Sequence, residues 1–260
     1  MAEPWTAPPR RFRRRRLSRR VRQSPRRLLL FAVGAILLVI TVIEGAAYIA
    51  GHPQDMPWTR LDLDHPAGRF TGPKLAALGE DPLRCRTLLA EGGARDSPAA
   101  TIRSTVPCGY ADGMRLDRDI DYRPAGLVTS CPVAAALVLW EREIVQPAAK
   151  RHLGVRASII DHAGSYSCRR IGGGPEGRFS EHSTADAIDV TGFRLADGTS
   201  VSVLRDWTSE GPRAAFLRDV RDGACRLFST TLSPDYNAAH ADHLHFDQAA
   251  RGAAGGRPCS

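Results

Sequence analysis

The chain has 260 residues, 43% of them hydrophobic, so one sizeable domain with a buried core is expected, together with smaller attachments. Its formal charge of +8 sits at one end: residues 1–27 hold eleven Arg and one Glu, and the other 233 residues carry 25 basic and 27 acidic side chains. A folded part so near neutrality lacks the basic face a nucleic-acid enzyme needs, and that class is set aside.

In chain order, the Arg-rich stretch 1–27 abuts an apolar run from Leu28 that continues, interrupted only by Glu44, to about Ala50. Some 20 apolar residues cross a bilayer, and a cleavable signal has a shorter run and a small-residue cleavage site. Residues 28–50 therefore read as one transmembrane anchor, with a signal cut at Gly45-Ala46-Ala47 as the alternative. The positive-inside rule then keeps residues 1–27 in the cytoplasm and exports the remainder to the periplasmic or extracellular side of the inner membrane. Residues 51–80, rich in Pro, Gly, Asp and His without a period, read as a linker, and residues 81–260 as the folded domain. All six cysteines (Cys85, Cys108, Cys131, Cys168, Cys225 and Cys259) follow the apolar run. An even number in the exported part points to three disulfides in an oxidising compartment. Fifteen pairings are possible, and Cys85–Cys108 is the expected local pair. No CxxC is present, which disfavours a zinc ribbon or a thioredoxin-type site.

Residues 81–127 read as irregular structure. A helix is expected from Cys131-Pro132, capped by Thr129 or Ser130, with Val133, Leu137, Trp140 and Ile144 on one face and Pro147 disturbing its end. Strands are expected at 155–160, 187–191 and 199–204. A helix is expected from Pro212 to Asp222, with Gly223 as its stop, and a last strand around Leu244 and Phe246. Irregular mixing of helices and strands predicts an α+β fold with a mostly antiparallel sheet flanked by helices, preceded by one transmembrane helix.

Two segments carry chemistry: Ser180-Glu-His-Ser-Thr-Ala-Asp-Ala-Ile-Asp189 and His240-Ala-Asp-His-Leu-His-Phe-Asp247. On a strand His243 and His245 share one face, while Leu244 and Phe246 face the core. If Ile188 and Val190 also face the core, Asp189 points outward, and His182 lies in the loop that enters its strand. Two imidazoles and a carboxylate match a catalytic zinc site, which has three protein ligands and a water. Asp242 and Asp247 could orient imidazoles, and Glu181 is a further candidate base. His52, His65, His152 and His162 read as structural, His240 as peripheral and Trp140 as core. HExxH and GxSxG are both absent.

The SxHxxxxAxD pattern with a distal HxH resembles the superfamily of D-Ala-D-Ala carboxypeptidases, murein endopeptidases and the hedgehog domain. Cys131-Pro132 with Trp140, Tyr166-Ser-Cys168-Arg169, Ser180 through Phe193, His243-Leu-His245 and Cys259 are, in that order, similar to the extensin-like C-terminal domain family. The resemblance implies that His182, Asp189 and His245 bind Zn2+, and that His243 stands beside the zinc water. It also implies that Arg169, or else Arg170, holds a substrate carboxylate or carbonyl. The expected function is a membrane-anchored zinc metallopeptidase cleaving an amide bond in peptidoglycan peptides. The alternative is an inactive zinc-bearing cell-wall-binding or structural module. One departure stands out: the superfamily carries Gly three residues after the motif His, where this chain has Ala185. A methyl group is tolerated there if the backbone is ordinary, and not if φ is positive.

Overall fold

In the computed structural model, which describes residues 25–260 apart from 93–94, 99–100, 105–106, 118–119 and 252–254, Pro25–Gly51 forms a single helix, α1. The Arg-rich tail expected at 1–27 lies almost wholly outside the described residues. The 27 residues of α1 reach about 40 Å at 1.5 Å each, beyond the ~30 Å of a hydrocarbon core. Its apolar side chains are exposed along its length, and its most apolar window has a mean hydropathy of 2.6. It is thus long and apolar enough to cross a membrane once. The chain divides at Tyr48 and Ile49 into a unit holding most of this helix and a unit holding the rest.

The stretch 51–80, read as a linker, is folded into the second unit. It holds the short helix α2 (Thr71–Ala76) and a 3-10 turn (Ala77–Glu80), and it buries Leu63, Leu75 and Leu78 in the core. The Ala67 N–H donates to Glu143 Oε2 at 2.8 Å, and Arg142 donates to the His65 carbonyl at 3.1 Å. Turns this short never repeat long enough to show a period, so three scattered leucines gave no sequence signal. Helix α3 (Pro82–Glu91) follows, capped by Asp81, whose carboxylate accepts from the Arg84 N–H. Next come β1 (Arg95–Pro98), β2 (Ile102–Arg103), β3 (Gly109–Tyr110), β4 (Met114–Asp117) and β5 (Asp121–Arg123). β1 pairs with β4 and β2 with β3, as two small antiparallel ladders.

Helix α4 (Cys131–Trp140) is capped by Ser130, whose Oγ accepts from the Val133 N–H. All ten of its residues are buried, so the helix is apolar all round rather than amphipathic, and it forms the centre of the domain. It runs into a π-turn (Glu141–Val145) and then α5 (Gln146–Leu153). The Gln146 N–H reaches back to the Glu141 carbonyl. Pro147 has no N–H to continue the ordinary ladder, and the wider turn just before it lets the chain stay helical.

The remaining elements are β6 (Ala157–Gly164), β7 (Ala187–Leu195), β8 (Ser200–Ser202), α6 (Val203–Asp206), α7 (Pro212–Ala224), β9 (Thr230–Leu232) and β10 (Leu244–Asp247). The main sheet runs β5-β6-β7-β10-β9, with β8 also on β7. Only β5 and β6 pair in parallel; the other pairs are antiparallel. The fold is therefore a mixed helix and strand domain, as expected. Its core joins α4, α7 and the inner sheet face: Trp140 packs against Phe193 of β7 and Phe246 of β10, and its indole N–H donates to the Val220 carbonyl at 2.9 Å.

Two further expectations are corrected. The disulfides are Cys85–Cys131, Cys108–Cys168 and Cys225–Cys259, with Cα separations of 6.1, 5.6 and 5.6 Å, and Cys85–Cys108 is not formed. α3 packs on α4, which brings Cys85 to the first turn of that helix, whereas Cys108 meets the loop after β6. Nor does Gly223 stop its helix. It lies within α7, where a Cβ would stand 2.8 Å from Ile144 Cδ1 and closer still to Cγ2.

Candidate metal centre

β7 and β10 build the floor of the site. Their register pairs His245 with Asp189 and flanks that pair with Leu244–Val190 and Phe246–Ile188. Those four flanking side chains are fully buried on the core side, so strand alternation sends His245 and Asp189 together to the other face. His182 arrives from the 3-10 turn Glu181–Thr184, capped by Ser180. Ala185 then redirects the chain into β7 with φ 58°, ψ 20°, the left-handed conformation that costs a non-glycine residue about 1–2 kcal/mol. Among the described residues it is the one non-glycine with positive φ. Its N–H donates to the His182 carbonyl, and its own carbonyl accepts from the Ser130 N–H at 2.7 Å and Ser165 Oγ at 3.1 Å. An alanine thus stands where positive φ is used, and three hydrogen bonds hold the strained turn.

His182 Nε2, Asp189 Oδ1 and His245 Nδ1 form a triangle. The edges are 3.2 Å (His182–His245), 3.2 Å (His182–Asp189) and 2.9 Å (His245–Asp189). Ligand atoms about 2.1 Å from a tetrahedral zinc lie ~3.4 Å apart, so two edges are near this spacing and the third is shorter. The outer hydrogen bonds fix the tautomers. The second nitrogen of His182, Nδ1, faces the Ser165 carbonyl at 2.7 Å and must carry hydrogen. The second nitrogen of His245, Nε2, faces Asp247 Oδ2 at 3.2 Å and donates to that carboxylate. With neutral rings, three lone pairs converge on one point, which only a cation or a shared proton makes favourable. These are the ligand and outer partners that a metal-bound histidine needs. The residues therefore fit a divalent ion with borderline-soft character.

The electrostatics agree. Burial alone would raise the Asp189 carboxyl, but His182 and His245 outweigh it and hold the group well below the usual carboxylate range. Burial would likewise lower His245, yet Asp189 and Asp247 raise it to about 9. Both shifts say that the pocket between these atoms favours positive charge. Asp247 is lowered, its burial outweighed by His245. Glu181 is raised, first by burial and then by Asp247.

His182, Asp189 and His245 are the residues that come together among the described residues as a potential metal set. His243 stays outside that set. Its Nδ1 faces Asp242 Oδ1 at 2.8 Å, and its Nε2 stands 3.5 Å from Asp189 Oδ1. A hydrogen on Nδ1 leaves Nε2 as a free base facing the site. Arg169 is exposed, and its charge reaches His240. Arg170 is occupied, donating to the Gly177 carbonyl and stacking on the Phe179 ring at 4.1 Å, so it holds the loop rather than facing the site. His240 is nearer than its sequence position suggests. Its ring lies 5.1 Å from that of His243 and 5.9 Å from that of His245, with Nδ1 fixed 2.8 Å from Asn237 Oδ1. The family model for the extensin-like protein C-terminus matches residues 83–260. The chain belongs to that family. No curated protein and no solved structure matched in the corresponding comparisons. The match to the extensin-like domain covers every residue of the site and all six cysteines.

Sequence reasoning missed two contributors in this extensin-like domain. Ser165 acts through its backbone carbonyl, which no side-chain pattern reveals. Asp186, beside the strand that carries Asp189, accepts from Ser130 Oγ at 2.5 Å; burial pushes its carboxyl up to about 8, with Glu181, Asp247 and Asp112 adding to the rise. It stands inside the first motif, at a position that the His182–Asp189 metal pattern leaves unspecified. Of the histidines read as structural, His162 contacts the Pro124 carbonyl at 2.9 Å and His152 contacts Asp219 at 2.7 Å.

Proposed function

We propose that this extensin-like protein is a membrane-anchored, zinc-dependent hydrolase of the D-Ala-D-Ala carboxypeptidase and murein endopeptidase type. In this reading the domain lies outside the cytoplasmic membrane and cleaves an amide bond in peptidoglycan stem peptides or crosslinks. The observation that carries it is the convergence of three lone pairs from His182, Asp189 and His245, with both imidazole tautomers fixed from behind. Three disulfides and the apolar helix behind an Arg-rich tail support an oxidising, extracytoplasmic setting.

His182, Asp189 and His245 would hold the ion. When bound, a zinc ion would supply Lewis acidity toward a carbonyl oxygen and a water acidified to a pKa of about 7. His243 Nε2 then takes the proton from the attacking water, while Asp242 fixes the ring through Nδ1. The same imidazole returns the proton to the departing amine. Arg169 holds a carboxylate or carbonyl of the substrate, through paired N–H donors.

The test is digestion of purified muropeptides by the full chain, followed by mass spectrometry. Shortened stem peptides or opened crosslinks should appear, vanish with a chelator and return with zinc. Products that persist in chelator would overturn the metal reading. One bound zinc per chain without any product would identify an inert wall-binding module instead.

A further inference from the structure

A groove of about 420 Å³ runs along the outward face of β7 and β8. It begins one side-chain position from the metal centre: Thr191 lines it and follows Asp189 by two residues on the same strand face, about 7 Å away. Asp242, whose carboxylate holds His243, lines it as well. The groove is therefore continuous with the chemistry through two independent residues.

Its lining is chemically uneven. Ser200 and Ser202 supply polar groups along β8, and Leu204 leaves an apolar side chain 61% exposed at the wall. Two arginines reach it. Arg194 is neutralised by Asp161 through two hydrogen bonds of 2.8 and 3.0 Å. Arg205 on α6 is exposed and has neither an ion pair nor a hydrogen bond among the described residues. Asp161 is thus matched by Arg194 and Asp242 is held by the His243 ring, so Arg205 is the one cation of the groove without a partner among the described residues.

We propose that this groove is a substrate subsite beside the metal centre, and that Arg205 receives a carboxylate from an extended peptide. The proposal deepens the hydrolase reading and names its substrate class: extended peptides that carry an acidic group on the groove side of the reacting amide. Thr191 and the serines of β8 meet the polar backbone of that peptide, and Leu204 meets an apolar side chain.

Anisotropy of three labelled pentapeptides on the full chain in detergent micelles, loaded with zinc, tests this without requiring turnover. One peptide is blocked at both ends and carries a central glutamate. The second has glutamine instead, and the third is the glutamine peptide with a free C-terminal carboxylate. A peptide with a carboxylate should bind about tenfold more tightly than the blocked glutamine peptide, the usual scale for a charge-assisted hydrogen bond. Arg205→Gln should remove that preference, and Arg205→Glu should reverse it. Which acidic peptide gains tells whether the carboxylate is a side chain or a chain end. Equal affinity for all three, or a preference that survives Arg205→Gln, overturns the proposal. Muropeptide hydrolysis indifferent to Arg205→Gln would remove the subsite and leave the hydrolase. An Arg205-dependent preference in a protein that cleaves nothing would leave the subsite and remove the hydrolase.

Discussion

His243 and His245 stand two residues apart with rings turned toward Asp189, at 3.5 and 2.9 Å from its Oδ1, yet only His245 belongs to the converging triangle. Removing them should have separable effects. His245→Ala should lose bound zinc and activity together. His243→Ala should keep about one zinc per chain while the hydrolysis rate falls roughly 10²–10⁴-fold, the span for a positioned acid–base group. Metal content by atomic emission beside a muropeptide assay decides, and the reverse pattern would exchange the two roles. Asp186 gives a second prediction, in the chelated protein. Its carboxyl rises from the ordinary 3.8 to about 8 on folding, so the folded state holds the proton more tightly than the unfolded chain. That contribution is complete below about pH 4 and is lost as pH rises to about 8. Asp186→Asn can still accept from Ser130 and should flatten this part of the stability profile, read as the thermal midpoint at several pH values. Equal slopes in both proteins would count against a protonated Asp186.

Helix α7 shows how an element can be placed correctly and explained wrongly. Its start was legible from Pro212, but Gly223, read as its stop, is a contact inside the helix. Gly223→Ala should gain roughly 1 kcal/mol of helix propensity and lose ~1–3 kcal/mol through overpacking on Ile144. The expected result is a lower thermal midpoint, partly restored by Ile144→Ala, which removes the atoms that the new methyl would meet. A rise in the midpoint of the single variant would show that Ile144 yields freely. The same limit applies elsewhere. β7 and β10 were readable because alternation around Asp189 and His245 is a local property of sequence. The pairing of Cys85 with Cys131 was not, because it depends on α3 lying against α4. Residues 51–80 were unreadable because their buried leucines sit in turns too short to repeat. The left-handed backbone of Ala185 could be posed only as a condition, since dihedrals follow from the three hydrogen bonds around it.

At the scale of the whole chain, one apolar helix precedes a domain with three disulfides. With the Arg-rich end held inside, a C-terminal alkaline phosphatase fusion should be active and a green fluorescent protein fusion dark. The opposite pattern would withdraw the oxidising compartment and the wall substrate together. The cross-strand pairing of His245 with Asp189 reaches further than chemistry. A slip of β10 by one residue would turn Leu244 and Phe246 outward together and His245 into the core. An ion gripped by one residue from each strand therefore acts as a clasp on alignment. At a free metal concentration 100 times its dissociation constant, it would add about 2.7 kcal/mol to the aligned state. A domain starved of metal would then lose, besides the proposed chemistry, part of what keeps two central strands from exchanging partners or sliding, and metal supply would set how many copies fold correctly.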